Sequence, residues 1–177
     1  MRKYEVVYKN LLDSDAQVLC HQVNCMGVMG SGVAKEIKKR WPEVYKEYRK
    51  TVEALNHNCL GGCLMVPIEN GSRAIANLFG QYYYFGYFKD DPTKFLHQEI
   101  WKQPEFDSCC NPKRFTNYEA FWKSLQRLRE EIPEGITKIA FPYNIGCCRG
   151  GGNWEICEKM IQETFRDIDI EIEICRI

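Results

Sequence analysis

Val18-Leu19-Cys20-His21-Gln22-Val23-Asn24-Cys25-Met26-Gly27-Val28-Met29-Gly30-Ser31-Gly32-Val33-Ala34 passes from an apolar run, through one asparagine and three glycines, into a helix-like pattern. A strand that ends in such a loop and feeds a helix presents unpaired N–H groups and the positive end of a helix dipole, which together favour a phosphate. Glycines also let a ligand approach the backbone closely. A second segment of this type, Ile145-Gly146-Cys147-Cys148-Arg149-Gly150-Gly151-Gly152-Asn153-Trp154, lies near the other end of the chain. Two strand–glycine loop–helix elements in one small domain point to a diphosphate held between two loops, hence to a nucleotide-type ligand. The competing reading of either loop is a tight turn. Neither is a common nucleotide motif. The first has no G-K-[ST] ending for a triphosphate and Mg²⁺, and Gly30 and Gly32 are not followed by the third glycine of G-x-G-x-x-G.

Outward from these loops, strand and helix periods alternate. Residues 4–8 and 18–23 read as strands, the second nearly all apolar, as a strand covered on both faces should be. Val33, Ile37 and Trp41 mark a first helix. Pro42 suits the first turn of a second, whose apolar stripe is Tyr45, Tyr48, Val52 and Leu55. Cys63–Ile68 and Arg73–Leu78 are two short strands joined by a hairpin-type turn, Glu69-Asn70-Gly71-Ser72. Thr116-Asn117-Tyr118-Glu119 reads as a capping box for a helix carrying Phe121, Trp122, Leu125 and Leu128. Lys138–Pro142 is another buried strand, Cys157, Met160, Ile161 and Phe165 lie along a last helix, and residues 170–175 close the chain as a strand. The order β-β-α-α-β-β-α-β-α-β predicts an α/β fold, a three-layer α/β/α sandwich with a mixed central sheet, as a single domain over residues 1–177. In such sheets ligands bind beyond the carboxyl ends of strands, where both glycine loops fall. Residues 82–115, approximately, form an aromatic-rich insertion without clean periodicity. Its Tyr82, Tyr83, Tyr84, Phe85, Tyr87 and Phe88 read either as a lid that stacks on a ligand or as the insertion's own core.

Composition narrows the partners. The chain has 177 residues, enough for one sizeable core, and its 45% hydrophobic and 27% charged content excludes disorder. Lys plus Arg equals Asp plus Glu at 24 each, so no net field draws it to a membrane and no strong nucleic-acid signal exists. No apolar run approaches the ~18 residues of a spanning helix, and Met1-Arg2-Lys3-Tyr4-Glu5 has no signal-peptide core. Ten cysteines are many, yet Cys20, Cys63, Cys157 and Cys175 sit within apolar patterns, where a thiol acts as a small hydrophobe. Cys59-Leu60-Gly61-Gly62-Cys63 has no second half at zinc spacing. The expectations are reduced thiols, a cytoplasmic setting, no metal and no cofactor.

At this point the loops resemble those of a known family. His21-Gln22-Val23-Asn24-Cys25-Met26-Gly27, with Met29-Gly30-Ser31-Gly32-Val33-Ala34, is similar to the first ligand loop of macrodomains. Pro142-Tyr143-Asn144-Ile145-Gly146, through Gly150-Gly151-Gly152 to Trp154, is similar to their second. Asn77-Leu78-Phe79-Gly80-Gln81 and Thr116-Asn117-Tyr118 resemble intervening motifs of the compact branch, which includes ADP-ribose-1″-phosphate phosphatases and enzymes that remove ADP-ribose from proteins or DNA. The resemblance covers nearly the whole chain except the insertion after Gln81. It implies a cleft for ADP-ribose or a derivative. In it Asn24 and the first loop (Cys25, Gly27, Gly30, Ser31, Gly32, Val33) face the distal ribose. Ile145, Gly146, Cys147, Cys148, Arg149, Gly150, Gly151, Gly152 and Asn153 wrap the diphosphate. The Asn24 amide has the donor and acceptor needed to read ribose hydroxyls; its other reading is an asparagine tolerating a left-handed turn.

Three positions depart from the family pattern. Asn10 stands where many macrodomains have an aspartate for the adenine amino group. Gln81 replaces a lysine that forms a covalent intermediate in some ADP-ribosyl-removing relatives, and an amide cannot be that nucleophile. Arg149-Gly150-Gly151 replaces an aspartate of the second loop. Lys89 or Lys94 of the insertion could substitute for the lysine, or merely solvate a loop. His21 matches a histidine of the phosphatase branch and could act as acid or base, the alternative being a buried strand histidine donating to a neighbouring backbone group. Cys147 and Cys148 read as nucleophiles or as small packing residues. The resemblance thus implies a metal-independent hydrolase that removes the 1″-phosphate of ADP-ribose-1″-phosphate, with His21 and Asn24 as catalytic residues. An ADP-ribosyl hydrolase acting on modified protein or nucleic acid, and a non-catalytic ADP-ribose reader, are the alternatives.

Overall fold

At the centre of the sheet lies β2 (Val18–Gln22), with Val18, Leu19, Cys20 and His21 all buried. A strand apolar on both faces must be covered on both. In the computed structural model, which describes residues 4–84 and 114–177, it is. β1 (Tyr4–Val7), β2, β3 (Cys63–Ile68), β4 (Arg73–Leu78), β5 (Lys138–Pro142) and β6 (Glu171–Cys175) form one sheet in the order β1-β6-β5-β2-β4-β3. Only the β3–β4 pair is antiparallel; the other neighbours run parallel. Helices α1 (Gly32–Arg40) and α2 (Pro42–Ala54) cover one face, α3 (Tyr118–Glu131) and α4 (Trp154–Thr164) the other. The expected mixed α/β sandwich is therefore present.

Alternation along the strands divides the core. Val18, Cys20, Ile139 and Phe141 meet Phe121, Leu125 and Leu128 of α3 and Ile161 of α4. Leu19, Ile75 and Ala140 face Ile37 of α1 and Val44 of α2. Each fully buried aliphatic side chain is worth about 1.5–3 kcal/mol before ordering costs. A one-residue slip of β2 would exchange both sets, so its register is fixed, and with it the directions of His21 and Gln22.

Several local expectations change. The stripe of α2 is Val44, Tyr48 and Val52, while Leu55 is 48% exposed because it falls past the last turn, at the C-cap. The helix cap before α3 is Asn117, whose Oδ1 accepts from Ala120 N at 3.0 Å, so Thr116 is not the cap and serves elsewhere. The turn between β3 and β4 is a 3₁₀ turn with left-handed Glu69, Asn70 and Gly71. Most of the insertion, including Phe85, Tyr87, Phe88, Lys89 and Lys94, lies outside the described residues. The eight described cysteines are free thiols. Among the described residues no cluster of three or more His, Cys, Asp or Glu could hold a metal, and no helix is long and apolar enough to cross a membrane.

One charged residue interrupts the core. Glu173 of β6 is only 2% exposed; Ser14 Oγ donates to it at 2.5 Å, and Lys138 Nζ and Lys9 Nζ lie 2.8 and 3.2 Å away. Burial opposes its ionisation, but the bonds from Lys138, Ser14 and Lys9 prevail and hold the carboxyl below its ordinary range. The network ties residues 9–14, with buried Leu11 and Leu12, to the sheet. Glu173→Ala leaves Lys138 without its most buried partner and should cost about 3 kcal/mol in urea unfolding at neutral pH. Because the folded value is depressed, this contribution is present above the ordinary glutamate range and is lost as pH falls through it. A variant within about 1 kcal/mol of the parent would show that the network does not hold the segment.

Candidate functional site

β2 and β5 pair directly and in parallel, Val18 opposite Ile139 and Leu19 opposite Ala140, so the loops that follow them leave the sheet on one side. Between those loops is a cleft of about 470 Å³. It is lined by His21, Asn24, Gly30, Ser31, Gly32 and Val33 from the first half of the chain and by Ile145, Gly146, Cys148, Arg149 and Gly150 from the second, with Gln81 between them. A hollow of about 540 Å³ behind β3, lined by Leu55, Cys59, Lys123 and Glu130 among others, touches neither loop. The smaller cleft is the candidate site because the phosphate-seeking backbone converges there.

Asn24 organises the first loop. Its Oδ1 accepts from Met26 N at 2.9 Å and Val28 N at 3.3 Å, and its Nδ2 donates to Val28 O at 2.7 Å. The buried Tyr48 hydroxyl donates to Asn24 O at 2.6 Å and lies 2.9 Å from Oδ1. Asn24 is not left-handed, so the simple turn reading does not apply. Its oxygen is occupied within the loop, and one amide N–H is left for a ligand. Ser31 stands at the N-cap of α1 without making a side-chain cap bond, so the first N–H groups of that helix keep their anion-seeking character. Gly32 has φ +54°, and a Cβ there would meet nothing within 4 Å. Space beside it belongs to the cleft rather than to packing.

The second loop is held by a relay of side chains with no signature in the sequence. Gln22 Nε2 donates to Gln81 Oε1 at 2.7 Å and to Thr116 Oγ1 at 2.9 Å; Thr116 Oγ1 donates to Gly146 O at 2.6 Å. Gly150 O in turn accepts from Phe115 N and Thr116 N at 2.8 and 2.9 Å. Gly146 is left-handed at φ +70°, and a Cβ on it would lie 2.7 Å from Gln22 Oε1. Only glycine satisfies both constraints. Gln81 Nε2 donates to Tyr83 O at 2.8 Å, so that side chain is a strut between the two halves.

His21 is 1% exposed at the deep end of the cleft. Its Nε2 lies 2.7 Å from Asn77 Oδ1, so its neighbour is a side chain of β4. Burial pushes the imidazole down to about 4, against the opposing bond to Asn77, which leaves it neutral at physiological pH.

Other expected residues lie apart from the cleft lining. Asn10 caps a 3₁₀ turn, its Oδ1 accepting from Leu12 N at 2.9 Å. Cys25 is buried beneath the first loop, and Gly27 faces Arg49 of α2. Cys147 turns toward the core, its Sγ 3.9 Å from Cys157 Sγ; that contact, then burial, raises its pKa, which disfavours a nucleophilic thiolate. Gly151, Gly152 and Asn153 lie beyond the lining, and Asn153 caps α4 by accepting from Glu155 N at 2.8 Å. Conversely, Gln22, Val28, Tyr84, Tyr143 and Asn144 line the cleft, although the loop pattern does not single them out as ligand contacts. Gln22, Tyr143 and Asn144 lie at or just beyond the carboxyl ends of β2 and β5, and that position is the signal that marks them. Of the described tyrosines in the insertion, Tyr84 lines the cleft while Tyr83 is buried.

No family model matches the chain. Among solved structures, the macrodomain of Mycobacterium tuberculosis DarG superposes with a TM-score of 0.72 at 24% identity, over 99% of this chain and 97% of that one. The fold is that of a macrodomain. Thermosipho africanus DarTG in complex with ADP-ribose superposes with a TM-score of 0.73 at 19% identity, over 99% of this chain and 42% of that chain. Among curated proteins, a DNA ADP-ribosyl glycohydrolase of M. tuberculosis is 27% identical over 161 residues, 90% of this chain. An ADP-ribose 1″-phosphate phosphatase of Saccharomyces cerevisiae is 37% identical over 67 residues, 37% of this chain. The chain spans 38% of the length of each of these two curated relatives.

Two outcomes test the site's construction. Gly146→Ala should destabilise the protein by about 1–3 kcal/mol, since it combines left-handed strain with a collision on Gln22; an unchanged melting temperature would show that the relay yields freely. The depressed imidazole means that the unfolded chain binds a proton more readily at His21 than the folded one. Stability from this group is complete above the ordinary value of 6.5 and is lost as pH falls toward about 4. Between about pH 7.5 and pH 5 the parent should lose about 2 kcal/mol more than His21→Gln, read from urea midpoints. Parallel pH profiles would show that His21 is not held neutral.

Proposed function

We propose that this macrodomain binds ADP-ribose and hydrolyses a derivative substituted at C1″ of the distal ribose, with the 1″-phosphate as the preferred leaving group. The observation that carries the reading is the convergence of two glycine loops and the open N-terminus of α1 on one cleft beside His21. Oriented N–H groups hold a diphosphate and also stabilise charge that develops on a leaving phosphate. The catalytic work is mainly positioning of water and substrate by a rigid site. Names of curated relatives, which include ADP-ribose 1″-phosphate phosphatase, and the solved complex of DarTG with ADP-ribose support the ligand class. A reducing compartment such as the cytoplasm suits the free thiols.

Gln81 favours attack by water over a covalent enzyme intermediate. Its amide is no nucleophile and is already hydrogen-bonded to Gln22 and Tyr83. The second reading, removal of ADP-ribose from a modified macromolecule, is favoured by a different observation: the match to a DNA ADP-ribosyl glycohydrolase extends over 90% of this chain. In either case the bond broken links the distal ribose to its substituent, and water supplies a proton to one product and a hydroxyl to the other.

Incubation with ADP-ribose-1″-phosphate, ADP-ribosylated protein and ADP-ribosylated DNA separates these readings by product. Phosphate release is expected. Release of ADP-ribose from a macromolecule alone would replace the first reading with the second, and binding without turnover of any of the three would make the domain a reader. Gly32→Val should lower the melting temperature, because φ +54° strains a branched residue, and in the folded protein weaken ADP-ribose binding at least tenfold, about 1.4 kcal/mol, because the added branch enters the cleft. Titration calorimetry showing unchanged affinity would remove the first loop from the ligand site.

A further inference from the structure

Leu64, Asn77 and His21 form a row across three strands. Asn77 of β4 is in register with Leu64 of β3 on one side and His21 of β2 on the other. Asn77 is completely buried, and its Nδ2 donates to Leu64 O at 3.0 Å. That bond fixes which way the amide faces, so its oxygen is the atom turned toward the imidazole, 2.7 Å from Nε2. An amide oxygen only accepts, hence Nε2 carries the proton and Nδ1 carries a bare lone pair. Nδ1 is buried and has no hydrogen-bond partner among the described residues, although His21 lines the cleft. An acceptor left in this way carries a desolvation cost that a donor brought by a ligand removes.

We propose that Asn77 is a positioning residue: it locks His21 in the Nε2–H tautomer, so that Nδ1 accepts a hydrogen bond from a hydroxyl of the distal ribose. The proposal rests on the ADP-ribose reading. It adds a specificity rule, since a bare nitrogen welcomes an O–H group and repels a phosphate oxygen. A substituent phosphate is therefore seated against the loop N–H groups, away from His21. Asn77 itself touches no ligand. Its influence passes entirely through the tautomer of its neighbour.

Nitrogen-15 NMR of protein labelled at histidine, at neutral pH, reads the tautomer without an activity assay. The free parent should show His21 with a protonated Nε2 and a bare Nδ1. ADP-ribose should move the Nδ1 resonance, whereas ADP, which lacks the distal ribose, should bind while leaving it in place. Asn77→Leu should lose the tautomer preference and weaken ADP-ribose at least tenfold with a smaller effect on ADP. The parent spectra decide the matter even where a variant folds poorly. A protonated Nδ1 in the free parent overturns the proposal, and so does ADP-ribose that shifts the loop amides while leaving Nδ1 unmoved. Failure of ADP-ribose to shift any loop amide overturns the ADP-ribose reading and the ribose contact with it, while the tautomer of the free protein still shows separately whether Asn77 locks the ring.

Discussion

Parallel pairing of β2 with both β4 and β5 is the constraint on which the site depends. It places the carboxyl ends of β2 and β5 side by side, so two loops distant in sequence open into one cleft. The same pairing aligns His21 with Asn77. Because β2 is buried on both faces, a change of register would expose apolar side chains on each, and the surrounding core penalises any slip. The geometry of the site is in this sense enforced by hydrophobic burial some distance from it.

Polar side chains then set the details. The first loop is braced from within by Asn24 and from beneath by the Tyr48 hydroxyl. The second is braced from outside by Gln22 and Thr116. Buried polar groups cost stability unless they are hydrogen-bonded, and satisfied networks lend rigidity in return. Here the networks tie the backbone of both loops to buried side chains. A site that works by presenting N–H groups needs that preorganisation, because reorientation during reaction would forfeit much of the electrostatic gain. His21 Nδ1 and Gln22 Oε1 are exceptions, buried acceptors without a hydrogen-bond partner among the described residues.

Charge is used differently in the two regions. Glu173, Lys138, Lys9 and Ser14 form a compensated network at the sheet, where the carboxylate stays ionised because three donors surround it. Among the described residues His21 has one side-chain partner, the Asn77 amide oxygen, and stays neutral. Burial opposes charge at both groups; the bonds from Lys138, Ser14 and Lys9 overcome it at Glu173, and the one from Asn77 does not at His21.

The sequence by itself determined the order of elements, the mixed sandwich and the two glycine loops. These follow from periodicity, from the positions of glycine and proline, and from apolar runs long enough to require cover, all of which are local properties. It also marked His21, Asn24 and Gln81, through a pattern shared with macrodomains. It did not tell that Asn24 would spend its oxygen on its own loop, that Thr116 would hold Gly146 instead of capping a helix, that Asn10 would cap a 3₁₀ turn, or that Cys147 would lie against Cys157. Those outcomes depend on which side chains of distant segments come within about 3 Å of one another. Periodicity carries no such information, because it fixes the face on which a residue lies and not the partner it meets there. Only the packed sheet, by setting Gln22 beside Gln81 and Thr116 and His21 beside Asn77, decided which polar atoms are consumed in holding the site and which remain for a ligand.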